Sequence, residues 1–248
     1  MTAPDLQDDP RIDWHASDDE DVWTRDAVDT IAETIENGLE CSANQVRLFV
    51  SGGSTPGPIY RRLANVELDW SRVVIGLVDD RDVPADSNGS NARMIRETLL
   101  RDRAAAATFQ PLRETAAALE DAIRIANEHW QVAADQPIVI ALLGMGDDGH
   151  TASLFPDAGN LDAALNSTQP YIHIDAAGCP VADEFPQRLS MTPLGLAQAS
   201  QRLLLIRGSK KRNTLVAALV NGPVAAMPIR AVWQAPLAPL QVHWCANE

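Results

Sequence analysis

The sequence predicts an α/β protein: a mainly parallel, Rossmann-like β-sheet flanked by helices on both faces, with a small additional β/α portion. Three observations carry that expectation. Short β-rich apolar runs alternate along the chain with segments whose apolar residues recur every three or four positions, the respective signatures of strands and amphipathic helices. Polar, glycine-bearing loops follow several of the runs, as they do where strands hand over to helices. The 248 residues, 46% of them hydrophobic, suffice for one sizeable core.

In chain order, Ala27, Val28, Ile31, Ala32, Ile35 and Leu39 mark the first helical stripe. "QVRLFV" (45–50) reads as a strand, stops at the loop "SGGSTPGP" and gives way to the helical "IYRRLANVEL". The order repeats with "RVVIGLV" (72–78), the polar loop "DDRDVPADSNGSN" and the helical "ARMIRETLLRDR". A long helix is expected in "ETAAALEDAIRIANEHWQVAA" (114–134), with a stripe through Leu119, Ala122, Ile123, Ala126 and Trp130, and then a strand in "PIVIALL" (137–143). Beyond it, "YIHID", "RLSMT", "RLLLIRG" and "LQVHWCA" read as strands, and helices are expected near "PLGLAQA" and "KKRNTLVAALV". No linker, low-complexity tract or fixed-period repeat divides the chain. The acidic residues 1–20 are expected to be loosely ordered and residues 21–248 to form a single domain.

Charge and cysteine content exclude some functions. The formal charge of −14 disfavours nucleic acid and anionic membranes as partners, because both are recognised by clustered Lys and Arg. No apolar segment approaches the roughly 20 residues needed to span a bilayer, and the acidic N-terminus lacks the features of a signal peptide. A cytoplasmic location is expected. Cys41, Cys179 and Cys245 form no CxxC, so reduced thiols are expected and neither a disulfide framework nor a thiolate metal site. The sequence does not fix the oligomeric state between a monomer and a small homo-oligomer.

Chemistry concentrates in the loops. "SGGSTPGP" either shapes a turn or brings backbone N–H groups to an anion. It is neither a GxxxxGK[ST] loop nor a GxGxxG fingerprint. In "DDRD", Arg81 suits a phosphate or carboxylate, with neighbouring aspartates holding its guanidinium; a surface turn with paired charges explains the same residues. No His or Glu stands there at ligand spacing, so no metal is expected. In "LLGMGDDGHTASLFP" (142–156), His150 follows a strand and glycine turn, where an imidazole suits a general base; a packed or solvated histidine explains the same residue. Asp147 or Asp148 would orient the ring, the backbone of "GMGDDG" would supply oxyanion donors, and Thr151 with Ser153 would cap a following helix. With no GxSxG elbow, water is the simpler nucleophile. Arg188, Lys210 and Lys211, the last two being the chain's only lysines, suggest an anion pocket at strand ends.

"LFVSGGSTPGPIY", "VDDRDVPADSNGSNARM", "LLGMGDDGHTASLFP", "RLSMTPLGL" and "IRGSKKRNTL" together resemble, in order, the motifs of the 6-phosphogluconolactonase family, within the larger group that includes glucosamine-6-phosphate deaminases. The resemblance covers about residues 25–235. It implies a cofactor-free, metal-free hydrolase of carbohydrate metabolism whose small anionic substrate is 6-phospho-D-glucono-1,5-lactone, and it makes residues 21–248 a sugar-phosphate-binding lactonase domain. It matches His150 to the general base, Arg81 and Arg188 to phosphate or substrate binders, Lys211 to the lysine of a Gly-x-x-Lys segment, and Ser51, Gly52, Gly53 and Ser54 to the glycine loop around the sugar phosphate; from the loops themselves Asp148 joins His150 as a catalytic candidate, and Asp79 and Gly146 join the binding candidates. The continuation "SLFP" separates the chain from deaminases, which have Asn-Glu-Pro there. A deaminase/isomerase and a catalytically silent sugar-phosphate sensor are the alternatives. One departure stands out: Asp80 occupies the position of the family's usual Glu, which shortens the side chain by one methylene.

Overall fold

The computed structural model describes residues 6–113, 118–182, 184–234 and 238–247. In chain order its elements are β1 (Ile12–Ser17), α1 (Glu20–Cys41), β2 (Val46–Val50), α2 (Gly57–Leu63), β3 (Val73–Leu77), β4 (Asp79–Arg81) and α3 (Asn91–Thr98). They continue with β5 (Thr108–Gln110), α4 (Leu119–Val132), β6 (Ile138–Leu143), α5 (Leu161–Leu165), β7 (Tyr171–Asp175) and β8 (Gln187–Met191). The last are α6 (Pro193–Ala197), β9 (Gln201–Arg207), α7 (Gly208–Leu219) and β10 (Leu240–Cys245).

Seven strands form one sheet in the order β1-β10-β9-β6-β2-β3-β5, and every neighbouring pair is parallel. Every residue of β2, β3 and β6 is buried, which is why β3 and β6 read as continuous apolar runs and β2 as one broken only by Arg47. From β2 the chain steps to β3 and β5 on one side, then returns through β6 to build the other side. The direction of winding reverses between β2 and β6, and a crevice opens at the carboxyl ends of strands at such a point. A second, antiparallel sheet has the order β4-β8-β7. Only Val78 separates the end of β3 from the start of β4, so the small sheet stands beside that crevice.

The main core brings Trp23, Ile31 and Ile35 of α1 together with Ile59 and Leu63 of α2 and the central strands. Phe49 stacks on Trp130 of α4 with ring centroids 5.3 Å apart. A smaller cluster around Leu154, Phe155, Leu161 and Ile174 joins the segment after β6 to the small sheet.

Three local expectations give way. Residues Ile12–Ser17, within the acidic segment expected to be loose, form β1, a strand held in parallel register with β10 from Ile12↔Leu240 to Ser17↔Cys245. Asp79–Arg81, expected as loop, form β4 because β8 supplies the pairing. Thr151 and Ser153 cap no helix: the Thr151 hydroxyl donates to the Gly144 carbonyl (2.9 Å), the Ser153 hydroxyl to Asp79 (2.6 Å), and Thr151 and Leu154 form a bridge across a tight turn. The N-terminal four residues of the helix expected over 114–134 lie outside the described residues. Among the described residues, no helix is long and apolar enough to cross a membrane.

Candidate active site

The turn after β6 folds on itself. The Gly146 N–H donates to the His150 carbonyl (2.8 Å) and the Gly149 N–H to the Gly146 carbonyl (3.1 Å), with Gly149 in the left-handed region at φ +80°. Glycine meets that conformation without the Cβ clash other residues suffer. Both amides are therefore spent inside the turn, which removes them as the oxyanion donors expected from "GMGDDG".

The same turn aims His150. Its Nδ1 lies 2.7 Å from Asp148 Oδ1, which also accepts the His150 backbone N–H at 3.1 Å. Burial raises the Asp148 carboxyl, but the hydrogen bonds and charge of His150 outweigh it and leave the group below its ordinary value. In the neutral imidazole, an ionised carboxylate beside Nδ1 keeps the ring hydrogen there and leaves the lone pair on Nε2. The ring packs against Phe155, centroids 4.4 Å apart. A side chain at Gly146 would collide with the imidazole and with Asp148, so this glycine makes room for the pair. Asp147 points elsewhere. It pairs with Lys210 (2.5 Å) and Lys211 (2.8 Å), and those hydrogen bonds hold its carboxyl low. Of the two aspartates open to the role, Asp148 is the partner of the ring.

The glycine loop closes the crevice beside β2. The Ser51 hydroxyl donates to the Leu142 carbonyl (2.9 Å), tying the end of β2 to β6, and the Tyr60 hydroxyl donates to the Ser51 carbonyl (2.8 Å). Gly53 takes φ +102°. Gly52 packs so closely on the Asn91 carboxamide that a Cβ there would overlap it.

The small sheet contributes two of the site's cations. In the β4–β8 register, Arg81 stands directly opposite Arg188. Arg81 Nη1 donates to Asn91 Oδ1 (2.5 Å) and to the Gly89 carbonyl (3.2 Å). Arg188 donates to the carbonyls of Phe185 (2.5 Å) and Ala182 (2.7 Å), with its guanidinium 5.3 Å from the centre of the Phe155 ring. The aspartates beside Arg81 do not hold its guanidinium, contrary to expectation. Asp80 instead accepts the backbone N–H groups of Asn91 (2.7 Å), Arg81 (2.8 Å) and Ala92 (3.2 Å), which stitches β4 to the first turn of α3. Its burial pushes the carboxyl up to about 6 even against those three donors. Asp82 pairs with Arg113.

These loops surround a cavity of about 360 Å³, within the range of small-molecule sites. Ser51, Gly52, Gly53, Ser54, Asp79, Arg81, Gly146, His150, Arg188 and Lys211 all line it, and Asp148 stands behind His150. Sequence reasoning missed Asn91 and Arg207, which also line it. Asn91 closes the loop "DDRDVPADSNGSN", where it reads as turn chemistry, and nothing local marks it out. Arg207 ends β9 and pairs with Glu20 at 2.8 Å, a contact between residues 187 positions apart. Among the described residues, no group of three or more His, Cys, Asp and Glu is placed to hold a metal ion.

A crevice at a winding reversal, with a carboxylate-oriented histidine and two facing arginines on its walls, defines an α/β enzyme of small anionic substrates. The chain belongs to the family of glucosamine-6-phosphate isomerases and 6-phosphogluconolactonases, whose pattern it matches over residues 18–244. It is 41% identical over 249 residues to a 6-phosphogluconolactonase of Xylella fastidiosa strain 9a5c, covering 99% of this chain and 100% of that one. It is 42% identical over 202 residues to a 6-phosphogluconolactonase of Pseudomonas aeruginosa, covering 81% of each. The crystal structure of a 6-phosphogluconolactonase from Shewanella baltica superposes with a TM-score of 0.85 at 31% identity, covering 93% of this chain and 96% of that one.

Proposed function

We propose that this protein hydrolyses 6-phospho-D-glucono-1,5-lactone to 6-phospho-D-gluconate in the cytoplasm, as a step of the oxidative pentose phosphate pathway. One observation carries the reading: Asp148 takes Nδ1 of His150 and leaves Nε2 as a base, in a cavity whose wall also presents the facing pair Arg81 and Arg188. His150 Nε2 takes a proton from water as the water oxygen bonds to C1 of the lactone carbonyl. When the tetrahedral intermediate collapses, the C1 to ring-oxygen bond breaks and the imidazolium returns the proton to that oxygen. General acid–base help of this kind is worth about 10² to 10⁴ in rate. Arg81, Arg188 and Lys211 hold the phosphate, and the Ser51–Ser54 loop lies against the sugar phosphate. Binding energy at that remote group positions C1 against His150.

The test follows disappearance of freshly made lactone at mildly acidic pH, where spontaneous opening is slow, with wild-type protein, His150→Ala and a blank. Acceleration by the wild type, lost in a folded His150→Ala, is the expected result. Ammonia release from glucosamine-6-phosphate, or tight binding of the phosphosugar without turnover, would overturn it.

A further inference from the structure

We propose that Asn91 is the positioning residue that sets the Arg81 guanidinium for the substrate's phosphate, and thereby governs preference for phosphorylated over unphosphorylated lactone. The proposal rests on the lactonase reading and extends it to a residue that need not touch the reacting atoms.

The Asn91 side chain is buried, and both ends of its amide are used. Nδ2 donates to the Asp79 carbonyl (2.8 Å), while Oδ1 accepts from Arg81 Nη1 (2.5 Å). The two contacts fix each other, because flipping the amide would set an NH₂ against a guanidinium and a carbonyl against a carbonyl. Arg81 has few other restraints. Its Nε is buried without a hydrogen-bond partner, and its remaining bond runs from the same Nη1 to the Gly89 carbonyl at 3.2 Å. Asn91 is thus the side chain that determines the plane of the guanidinium.

Asn91 is itself held from three directions. Asp80 accepts its backbone N–H at 2.7 Å, β4 accepts its amide through Asp79, and the Gly52 backbone lies so close that no side chain would fit between. The glycine loop, β4 and α3 therefore meet at this one carboxamide. A guanidinium recognises phosphate through directed N–H bonds, so its orientation matters as much as its charge.

A bare stitch between β4 and α3 would explain the same contacts, and a double-mutant cycle separates the two roles. kcat and KM are measured for 6-phosphogluconolactone and for unphosphorylated gluconolactone with wild type, Asn91→Ala, Arg81→Ala and the double variant. Loss of one hydrogen bond to a charged group corresponds to about tenfold or more. Asn91→Ala is expected to raise KM for the phosphorylated lactone by about that factor, with kcat and the unphosphorylated reaction nearly unchanged, and to add nothing in the Arg81→Ala background. Equal losses with both lactones, or a full further loss in the double variant, would overturn the proposal. If Asn91→Ala does not fold, Asn91→Ser, which keeps a donor for the Asp79 carbonyl, takes its place in the cycle. If wild type turns over neither lactone, the function reading falls separately. Affinity of the four proteins for 6-phosphogluconate then decides the positioning role by the same non-additivity.

Discussion

His150 and Asp148 are two positions apart, yet their pairing depends on a residue that contributes no side chain. Gly146 leaves the space in which the imidazole and the carboxylate meet, and the left-handed Gly149 turns the chain back to bring them together. Two substitutions follow. Asp148→Asn keeps the shape but withdraws the negative charge and lets the amide present a hydrogen to Nδ1, which favours the tautomer with Nε2–H. Its kcat for the lactone should fall by about 10² or more, with KM changed much less, because the lost base acts in the transition state. A fall in KM-dependent terms alone would mean that Asp148 holds substrate instead. Gly146→Ala should also lower kcat, and the His150 side-chain NMR signals should shift even without ligand. A Gly146→Ala protein with the wild-type spectrum would show that the glycine is not what admits the pair.

At the scale of elements, the facing arginines of β4 and β8 are informative because like charges directly opposite in an antiparallel pair cost stability. An anion between them relieves that cost. Arg188→Ala is therefore expected to raise KM for the phosphorylated lactone far more than for gluconolactone, and steady-state kinetics on both substrates would check it; equal effects on both would count against a phosphate role. The same pair shows what was legible in the chain. β3 and β6 announce themselves because burial on both faces demands unbroken apolar runs, β2 does so although Arg47 interrupts its run, and the glycine loop and "GDDGH" announce themselves because their residue types are already the chemistry. β4 does not. Its three residues, Asp79, Asp80 and Arg81, carry no strand signal, and it exists because β8 pairs with it. β1 escapes notice for a similar reason, since "IDWHAS" gains its strand character from β10. Asn91 became visible only when α3, β4 and Gly52 were brought to one point, for its role lies in that convergence and not in its neighbours along the chain.

The whole molecule pairs two buried titratable groups whose effects on stability run in opposite directions over the same pH window. On the outer half of the sheet, His243 of β10 stacks on His15 of β1 with centroids 4.7 Å apart. Burial, with some repulsion from His15, pushes His243 down to about 4 against the pull of Asp26 and Asp13. Its folded form resists a proton that the unfolded chain accepts between pH 6.5 and about 4, so stability is lost as pH falls through that range. Asp80, buried between β4 and α3, behaves oppositely. Raised from 3.8 to about 6, it binds its proton more tightly when folded, so stability is lost as pH rises from about 4 to about 6. Each effect is on the order of 3 kcal/mol when complete, and in the wild type they oppose each other. Urea unfolding between pH 4 and pH 7 should therefore show a flatter profile for wild type than for a variant lacking either group. Asp80→Asn should lose stability on acidification more steeply, because only the histidine's effect remains, and His243→Gln should gain stability over the same range. Parallel profiles for the three proteins would mean that neither buried group carries the linkage assigned to it.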